Sequence, residues 1–484
     1  MSIFSQLLSE YMKQKKIQTY RLAQYCGYDR GNMYKIINGK RNPPGKEFVE
    51  KVAGYMHLTP LEKTKLYEAY QISIVGYDIY YRRKAVLEFL TEVDAGRELD
   101  FALQPIRAEQ GFEMEDKTFM LLEGRHAVRS ALMYMTADET HQSEGHIRML
   151  LQPETDFLAS ILAMCSNSGI QTRVDHIFCL DDTNKATGKD KNYNLTCLKN
   201  ILPLYHYNYE YQTWYYYGYI PGQNQMFALF PYMVLTSGYA CILTADLKKG
   251  YLTKEPEMLK MLSEIFENCH SHASRFASLA DSANHAAEQM AFLSATFSER
   301  STGYSLQQME PCFMPVLTKE TLQKYVRKDL PGREIFLVQL QDYTRQLAKQ
   351  KMIYICSMEG ILRFLQNGRI PEIPDGLYEI PTASDRIQIV KALLAPERAT
   401  RLRILKNSIG NTETPVYLYI TPKTGTLRLP LATDQMVNLQ IQETGMLEAF
   451  YDFCENLDEE MFYSFEEAEQ IVEEEMNNQG WKAE

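Results

Sequence analysis

The side chains best suited to hydrogen-bond an acceptor-rich ligand lie between Ile17 and Pro44. Apolar residues recur there at spacings of three and four, which predicts a short helix with an inward face made of Met33, Ile36 and Ile37. The outward face then carries Arg30, Asn32, Tyr34 and Lys35. Arg30 and Lys35 suit guanine O6 and N7, whereas Asn32 suits adenine or a phosphate. The chemistry available to this face is therefore hydrogen bonding to acceptor groups, such as base edges and phosphates.

A second helix and two turns must position that face. Leu22, Ala23 and Cys26 share one side of a preceding helix, and Gly27 follows where the chain can take a positive φ. Asp29 can cap the outward-facing helix through its carboxylate, and Gly39 ends it. The sequence thus predicts helix, tight turn, helix and a basic exit.

This arrangement resembles the helix-turn-helix of the Xre family, the Cro and phage-repressor type of DNA-binding domain. The resemblance rests on residues that fall in register with the family pattern, namely Leu22, Ala23, Gly27, Met33, Ile36, Gly39, Lys40, Arg41 and Pro43. Two positions depart from it. Ile37 replaces an acidic residue, and Gly31 lies early in the second helix, where glycine costs about 1 kcal/mol against alanine.

The resemblance implies sequence-specific binding of double-stranded DNA in the major groove, by a homodimer on half-sites about 34 Å apart. By family position, phosphates would be held by Gln18 and Thr19 before the turn and by Lys40 and Arg41 after Gly39. By the usual size of such a module, the resemblance covers about the first 70 residues of the chain. We therefore expect a helix-turn-helix domain over residues 1–75, followed by a linker helix over 76–93.

Charge is divided unevenly along the chain. Residues 1–84 contain 15 Lys and Arg against 7 Asp and Glu, whereas the remainder contains 36 against 55. A basic segment joined to an acidic one is typical of a domain that binds a polyanion.

Length and composition limit the domain number and the class of the protein. A chain of 484 residues exceeds one such module and predicts several domains. No apolar run is long enough to span a membrane, and the nine cysteines include no Cys-x-x-Cys pair. We expect a cytoplasmic protein without disulfides that does not engage a membrane.

Beyond residue 93, short apolar runs alternate with amphipathic segments, which indicates a mixed α/β body. The predicted divisions are an α/β sensor domain over 94–273, a helical bridge over 274–312 and a second mixed α/β domain with an acidic C-terminal helix over 313–484. Among the predicted strands is Ile335–Leu340. The expected class is multidomain α+β, an all-α head followed by this body.

The segment Tyr205–Ile220 is unusually rich in aromatic residues. Read as a strand, it places alternate tyrosines on one face, a surface that could hold a planar or apolar ligand. We expect the ligand-binding residues to be Tyr207, Tyr209, Tyr211 and Trp214. The alternatives are a half-buried edge strand and a dimer contact.

No motif of a known catalytic centre is present, whether for phosphate-binding loops, dinucleotides, zinc or serine nucleophiles. His176, near Asp175, Asp181 and Asp182, is the best catalytic candidate, although a hydrogen-bonded structural histidine is the simpler interpretation. We accordingly expect no catalytic residues, no cofactor and no metal.

Together these patterns predict a cytoplasmic transcriptional regulator, not an enzyme, whose body senses a small-molecule or peptide effector. Two alternatives remain open. One is an enzyme with an autoregulatory DNA-binding head, and the other is a peptide- or partner-binding module of the antitoxin kind.

Overall fold

The computed structural model of the chain describes most of its residues, namely 2–93, 114, 117–155, 157–167, 172–181, 193–206, 209–218, 229–280, 302–370, 376–410, 416–430, 436–441 and 443–479. The chain divides into two compact units, residues 1–85 and residues 86–484. We call them the head and the body. The head is helical and the body mixed, which confirms a multidomain α+β protein.

Helices form the head and lead out of it: α1 (Ile3–Gln14), α2 (Thr19–Cys26), α3 (Arg30–Ile37), α4 (Lys46–Tyr55), α5 (Pro60–Val75) and α6 (Tyr77–Glu92). The boundary between the two units falls within α6. A capping box begins α5, in which Thr59 and Glu62 each accept a hydrogen bond from the other's backbone N–H.

Fourteen strands are described in the body: β1 (Phe119–Glu123), β2 (His146–Leu150), β3 (Arg173–Asp181), β4 (Glu210–Gly218), β5 (Tyr232–Leu235), β6 (Ala240–Leu243), β7 (Lys249–Thr253), β8 (Ser274–Ala280), β9 (Gly303–Gln307), β10 (Met352–Ser357), β11 (Leu402–Leu405), β12 (Tyr417–Ile420), β13 (Gly425–Pro430) and β14 (Met436–Ile441). Ten α-helices accompany them among the described residues: α7 (Arg125–Glu139), α8 (Leu158–Asn167), α9 (Tyr193–Ile201), α10 (Pro256–His272), α11 (Lys319–Tyr325), α12 (Arg333–Lys349), α13 (Met358–Asn367), α14 (Ala383–Leu393), α15 (Thr444–Glu455) and α16 (Phe465–Asn478).

The strand order repeats. The strands lie in the order β1-β7-β6-β5-β2-β3-β4-β8-β14-β13-β12-β9-β10-β11, so that β1 to β7 and β8 to β14 follow one scheme. Their pairing directions also agree: β2-β3-β4 and β9-β10-β11 are parallel, and every other pair within each half is antiparallel. The body therefore consists of two topologically equivalent repeats.

Register identifies equivalent residues in the two repeats. Leu150 lies opposite Met233 and Leu306 opposite Leu418, so the segments that follow β2 and β9 correspond. Both contain the pattern Leu-x-Gln-x-Glu, as Leu150, Gln152 and Glu154 and again as Leu306, Gln308 and Glu310. The two glutamines are buried, and each accepts a hydrogen bond from a backbone N–H, that of Cys179 at 3.0 Å and that of Ile409.

A tyrosine also occupies equivalent positions in the two repeats. Tyr232 and Tyr417 begin β5 and β12, and Tyr417 donates to Glu310 Oε2 at 3.2 Å. Burial is the main cause that raises the pKa of Tyr232 to about 12, and the charge of Glu154 adds to it, but the hydroxyl that donates to Glu154 is that of Tyr193, at 3.0 and 3.1 Å. The repeats thus share the buried glutamine and its backbone hydrogen bond as well as topology.

Two expectations differ from the structure. Ile335–Leu340 is not a strand but part of α12, because Phe336, Leu337, Leu340 and Leu347 recur at helical spacing and are buried together. The bridge expected to be helical over 274–312 contains strands β8 and β9 where it is described, and residues 281–301 lie outside the described part.

Among the described residues, no helix has the length and apolar character needed to cross a membrane.

Candidate nucleic-acid interface

A small core fixes the angle between α2 and α3. Leu22, Cys26, Met33 and Ile36 are all buried in it. Gly27 ends α2 with φ 71°, a left-handed conformation that glycine adopts without strain, and this reverses the chain within three residues. Because one side of α3 is committed to this core, its polar side chains face solvent.

Asp29 joins the start of α3 to the loop that follows it. Its Oδ1 accepts from the Asn32 backbone N–H at 2.9 Å, and its Oδ2 accepts from the Asn32 side-chain amide. The Asn32 Oδ1 in turn accepts from Arg41 Nη1 at 3.0 Å. The backbone N–H of Asn32 is the main cause that holds the pKa of Asp29 below its ordinary value. Asn32 therefore has both ends of its amide engaged and positions Arg41.

Arg30 and Tyr34 form a second connected pair, four residues apart on the exposed face. The Arg30 guanidinium lies 5.5 Å from the centre of the Tyr34 ring, within cation–π range. The hydrogen bond and charge of Arg30, and then a hydrogen bond with Thr19, lower the pKa of Tyr34. Tyr34 therefore lies near both Arg30 of α3 and Thr19, the first residue of α2.

The remaining predicted contacts, Gln18, Lys35 and Lys40, are exposed. Gly39 adopts φ 70°, and the N–H groups of Lys40 and Arg41 both donate to the Lys35 carbonyl, at 2.8 and 3.2 Å. This closes α3 and sets the two cations of the loop beside its last turn. All eight residues predicted to contact DNA thus lie on α3, at the start of α2, or in the loop after α3.

Gly31, a departure from the Xre pattern, now has a local explanation. A Cβ at this position would lie 3.1 Å from Asp29 Oδ1, closer than most Cβ contacts. Glycine leaves room for the capping carboxylate.

The tyrosine-rich segment does not form the predicted strand face. Tyr205 lies in a 3₁₀ helix (Leu202–His206) and Tyr209 precedes β4, while Tyr207 lies outside the described residues. The 3₁₀ helix contains Pro203, whose fixed φ suits a helical turn and which has no N–H for a strand ladder. Of the predicted ligand contacts, only Tyr211 and Trp214 are in the strand.

Three tyrosine rings of this segment nevertheless pack against one another in the core. Tyr205, Tyr209 and Tyr211 are buried, with ring centres 5.1 and 5.7 Å apart. Each hydroxyl has a protein partner, respectively Thr213, the Leu204 carbonyl and His176. Trp214 packs edge-on against His270, with ring centres 4.3 Å apart. The three tyrosines therefore fill space between elements, whereas Trp214 is only half-buried.

His176 is fully buried on β3. One ring nitrogen lies 2.7 Å from the Tyr211 hydroxyl and the other 2.9 Å from the Leu151 carbonyl. Burial lowers its pKa to about 4, so the ring is neutral near pH 7. Both ring nitrogens thus have protein partners within hydrogen-bond distance.

Comparison with known proteins adds little. No protein-family model and no curated protein sequence matches the chain. Among solved structures, it is similar to a polyphosphate kinase from Porphyromonas gingivalis, with 12% identity and a TM-score of 0.22. The match covers 74% of this chain and 55% of that protein, so the chain spans about half of its length.

That finding opposes two expectations drawn from the sequence, because the similar protein is an enzyme by its name. We therefore withdraw both expectations. The chain is no longer assigned as a transcriptional regulator, and it is no longer expected to lack catalytic activity. A TM-score of 0.22 carries no argument for a shared fold, and fold alone would not specify a reaction, so no kinase activity is transferred.

Proposed function

We propose that the head binds double-stranded DNA, with the N-terminal half of α3 in the major groove. The observation that carries the proposal is the division of α3 into two sides. Met33 and Ile36 are fully buried, while Arg30 and Lys35 are exposed on the other side. An Xre-type helix-turn-helix presents its second helix to DNA in this way.

Charge supports the same partner. The basic excess of residues 1–84 would attract the phosphate backbone, and the acidic excess of the remainder would be repelled by it. The repulsion favours approach through the head.

Roles follow from the geometry. Arg30, aligned by Tyr34, would donate to a guanine edge, as would Lys35. Lys40 and Arg41, with Gln18 and Thr19, would hold phosphates on either side of the groove. Asn32, held by Asp29 and bonded to Arg41, would set the direction of the Arg41 guanidinium.

A cytoplasmic location belongs to this proposal. All nine cysteines are free, and eight of them are buried. Free thiols fit a reducing compartment.

Binding of the full chain to a fluorescent random-sequence duplex tests the proposal. We expect affinity to fall linearly with the logarithm of salt concentration, because bound phosphates release counterions. Replacing Lys35 and Lys40 together by Ala should weaken binding by about tenfold or more. Lys65→Ala, an exposed cation on α5, is the matched control and should leave affinity unchanged.

Two results would contradict the proposal. One is that the full chain does not bind the duplex even at low salt concentration. The other is an equal loss of affinity in Lys65→Ala and in the variant that lacks Lys35 and Lys40, since that would place the contact elsewhere on the head.

A further inference from the structure

The strand β1 lies at one end of the strand order, paired on one side with β7. On that side, Gly124 N–H donates to the Lys248 carbonyl at 2.7 Å, and Lys254 N–H donates to the Thr118 carbonyl at 2.9 Å. The backbone groups of the even-numbered residues therefore face β7, and in an antiparallel ladder those of the odd-numbered residues face away. Among the described residues, no strand pairs with this outer side.

The side chains of the odd-numbered residues form an apolar patch beside this edge. Phe119 is 45% exposed and Leu121 72% exposed, unusual for residues of a strand. Leu121 lies opposite Tyr251, whose ring stacks with Phe119 at 5.2 Å and contacts Phe230 at 5.8 Å. We call Phe119, Leu121, Phe230 and Tyr251 the β1 patch. An open strand edge beside an exposed apolar patch is a site at which proteins pair with another strand.

The repeats show what occupies the equivalent edge elsewhere in the chain. In the second repeat, β8 takes the place of β1, and its outer side pairs antiparallel with β4. The far edge, β11, is also covered, because Tyr463 N–H donates to the Ile404 carbonyl at 2.9 Å and Lys406 N–H donates to the Met461 carbonyl at 2.8 Å. Within the described residues, β1 is thus the repeat edge without a strand or segment against it.

We propose that β1 of a second copy of this chain pairs antiparallel with β1 across a two-fold axis. Such an interface is self-complementary and closed, as in most homodimers. It joins the two sheets through the same kind of antiparallel contact that joins the repeats at β4 and β8.

Charge selects the register. With Met120 of each copy on the axis, Phe119 lies opposite Leu121 of the second copy, and Lys117 lies opposite Glu123. Both charged residues are exposed, and neither forms an ion pair with another described residue. Centring the pair on Leu121 would instead place Lys117 opposite Arg125 and Glu123 opposite Phe119, which sets like charges together. The register centred on Met120 is therefore favoured, with two cross-copy Lys–Glu pairs.

Sedimentation of the full chain at micromolar concentration tests the pairing. We expect the unsubstituted chain to be a dimer and Leu121→Lys to be a monomer. Ile335→Lys, at a comparably exposed apolar residue of α12, is the matched control and should remain a dimer. Circular dichroism melting shows whether each variant is folded.

Charge exchange tests the register independently. Lys117→Glu and Glu123→Lys should each raise the dimer dissociation constant by about tenfold, because each opposes like charges twice across the axis. The double variant restores both pairs and should return close to the original constant. A monomeric unsubstituted chain, or a dimer that persists in Leu121→Lys, would overturn the interface. A double variant as weak as the single ones would overturn the register.

Discussion

Arg41 Nη1 donates a hydrogen bond to Asn32 Oδ1 at 3.0 Å, although the two residues are nine positions apart. The bond closes the loop after α3 onto the first turn of that helix. It changes the role expected for Asn32, since the amide already uses one of its two N–H donors on Asp29 and one of its two oxygen lone pairs on Arg41, which leaves one of each for a base.

The first prediction concerns that pair. Asn32→Ala and Arg41→Ala should each weaken DNA binding by the full chain, and the double variant should lose little more than Arg41→Ala alone. A double-mutant cycle should give a coupling of about 1 kcal/mol, as is usual for residues in contact. Lys40→Ala combined with Asn32→Ala serves as the control, and its two losses should add. Strict additivity in the Asn32 and Arg41 cycle would show that Asn32 contacts DNA directly.

The second prediction separates base contacts from phosphate contacts. On a duplex selected for tight binding, Arg30→Ala should cost about 1–3 kcal/mol and relax the preference at one base pair. Lys40→Ala should weaken matched and mismatched duplexes alike and reduce the salt slope by about one. Titrations on both duplexes at several salt concentrations provide the measurement. A uniform loss in Arg30→Ala would place the reading face elsewhere on α3.

The third prediction concerns acid stability of the body. Burial lowers the pKa of His176 from 6.5 to about 4, so an unfolded chain binds a proton there between these values and the folded chain does not. The free energy of unfolding should therefore fall as pH drops from 6.5 toward 4, with up to about 3 kcal/mol from this group. Urea unfolding across this range should show the decline in the unsubstituted chain.

His176→Gln keeps a side chain able to hydrogen-bond and removes the titration. Its stability should depend less steeply on pH over the same interval, even if it is lower at pH 7. An unchanged slope would mean that other groups cause the decline.

The fourth prediction compares equivalent residues of the two repeats. Tyr417 and Glu310 are both buried, so Tyr417→Phe removes a hydrogen bond from a carboxylate that water does not reach. It should cost about 1–3 kcal/mol of stability. Tyr232→Phe is the matched variant, and it should cost less because Glu154 is exposed and accepts instead from the Tyr193 hydroxyl. Equal losses by thermal melting would mean that burial of the two carboxylates does not govern the difference.

Much of the head followed from local signals. Asp29, Gly27 and Gly39 set the ends of α2 and α3, and Met33 and Ile36 define the buried side of α3. Each of these acts through neighbours within one or two turns of helix, which is why the sequence alone predicts them. The Xre resemblance and DNA binding remain predictions.

In the body, local patterns located most strands but misjudged two segments. The run Ile335–Leu340 is apolar enough for a strand, and only its continuation to Leu347 shows the helical period. The alternation from Tyr205 to Tyr211 suggests one strand face, yet the chain turns at Pro203, and packing around His176 buries the rings.

The sequence by itself determined the α+β class, the limits of the head helices and the side of α3 that carries the donors. Only the tertiary structure decided the strand order, and with it the two repeats, because strand pairing joins residues far apart whose partners no local period specifies. The pattern Leu-x-Gln-x-Glu after β2 and β9 was a visible sign of the repeat, but its meaning depends on register. The same reason applies to β1. The sequence shows its charged ends and apolar centre, but only the pairing of the other strands places it at an open edge.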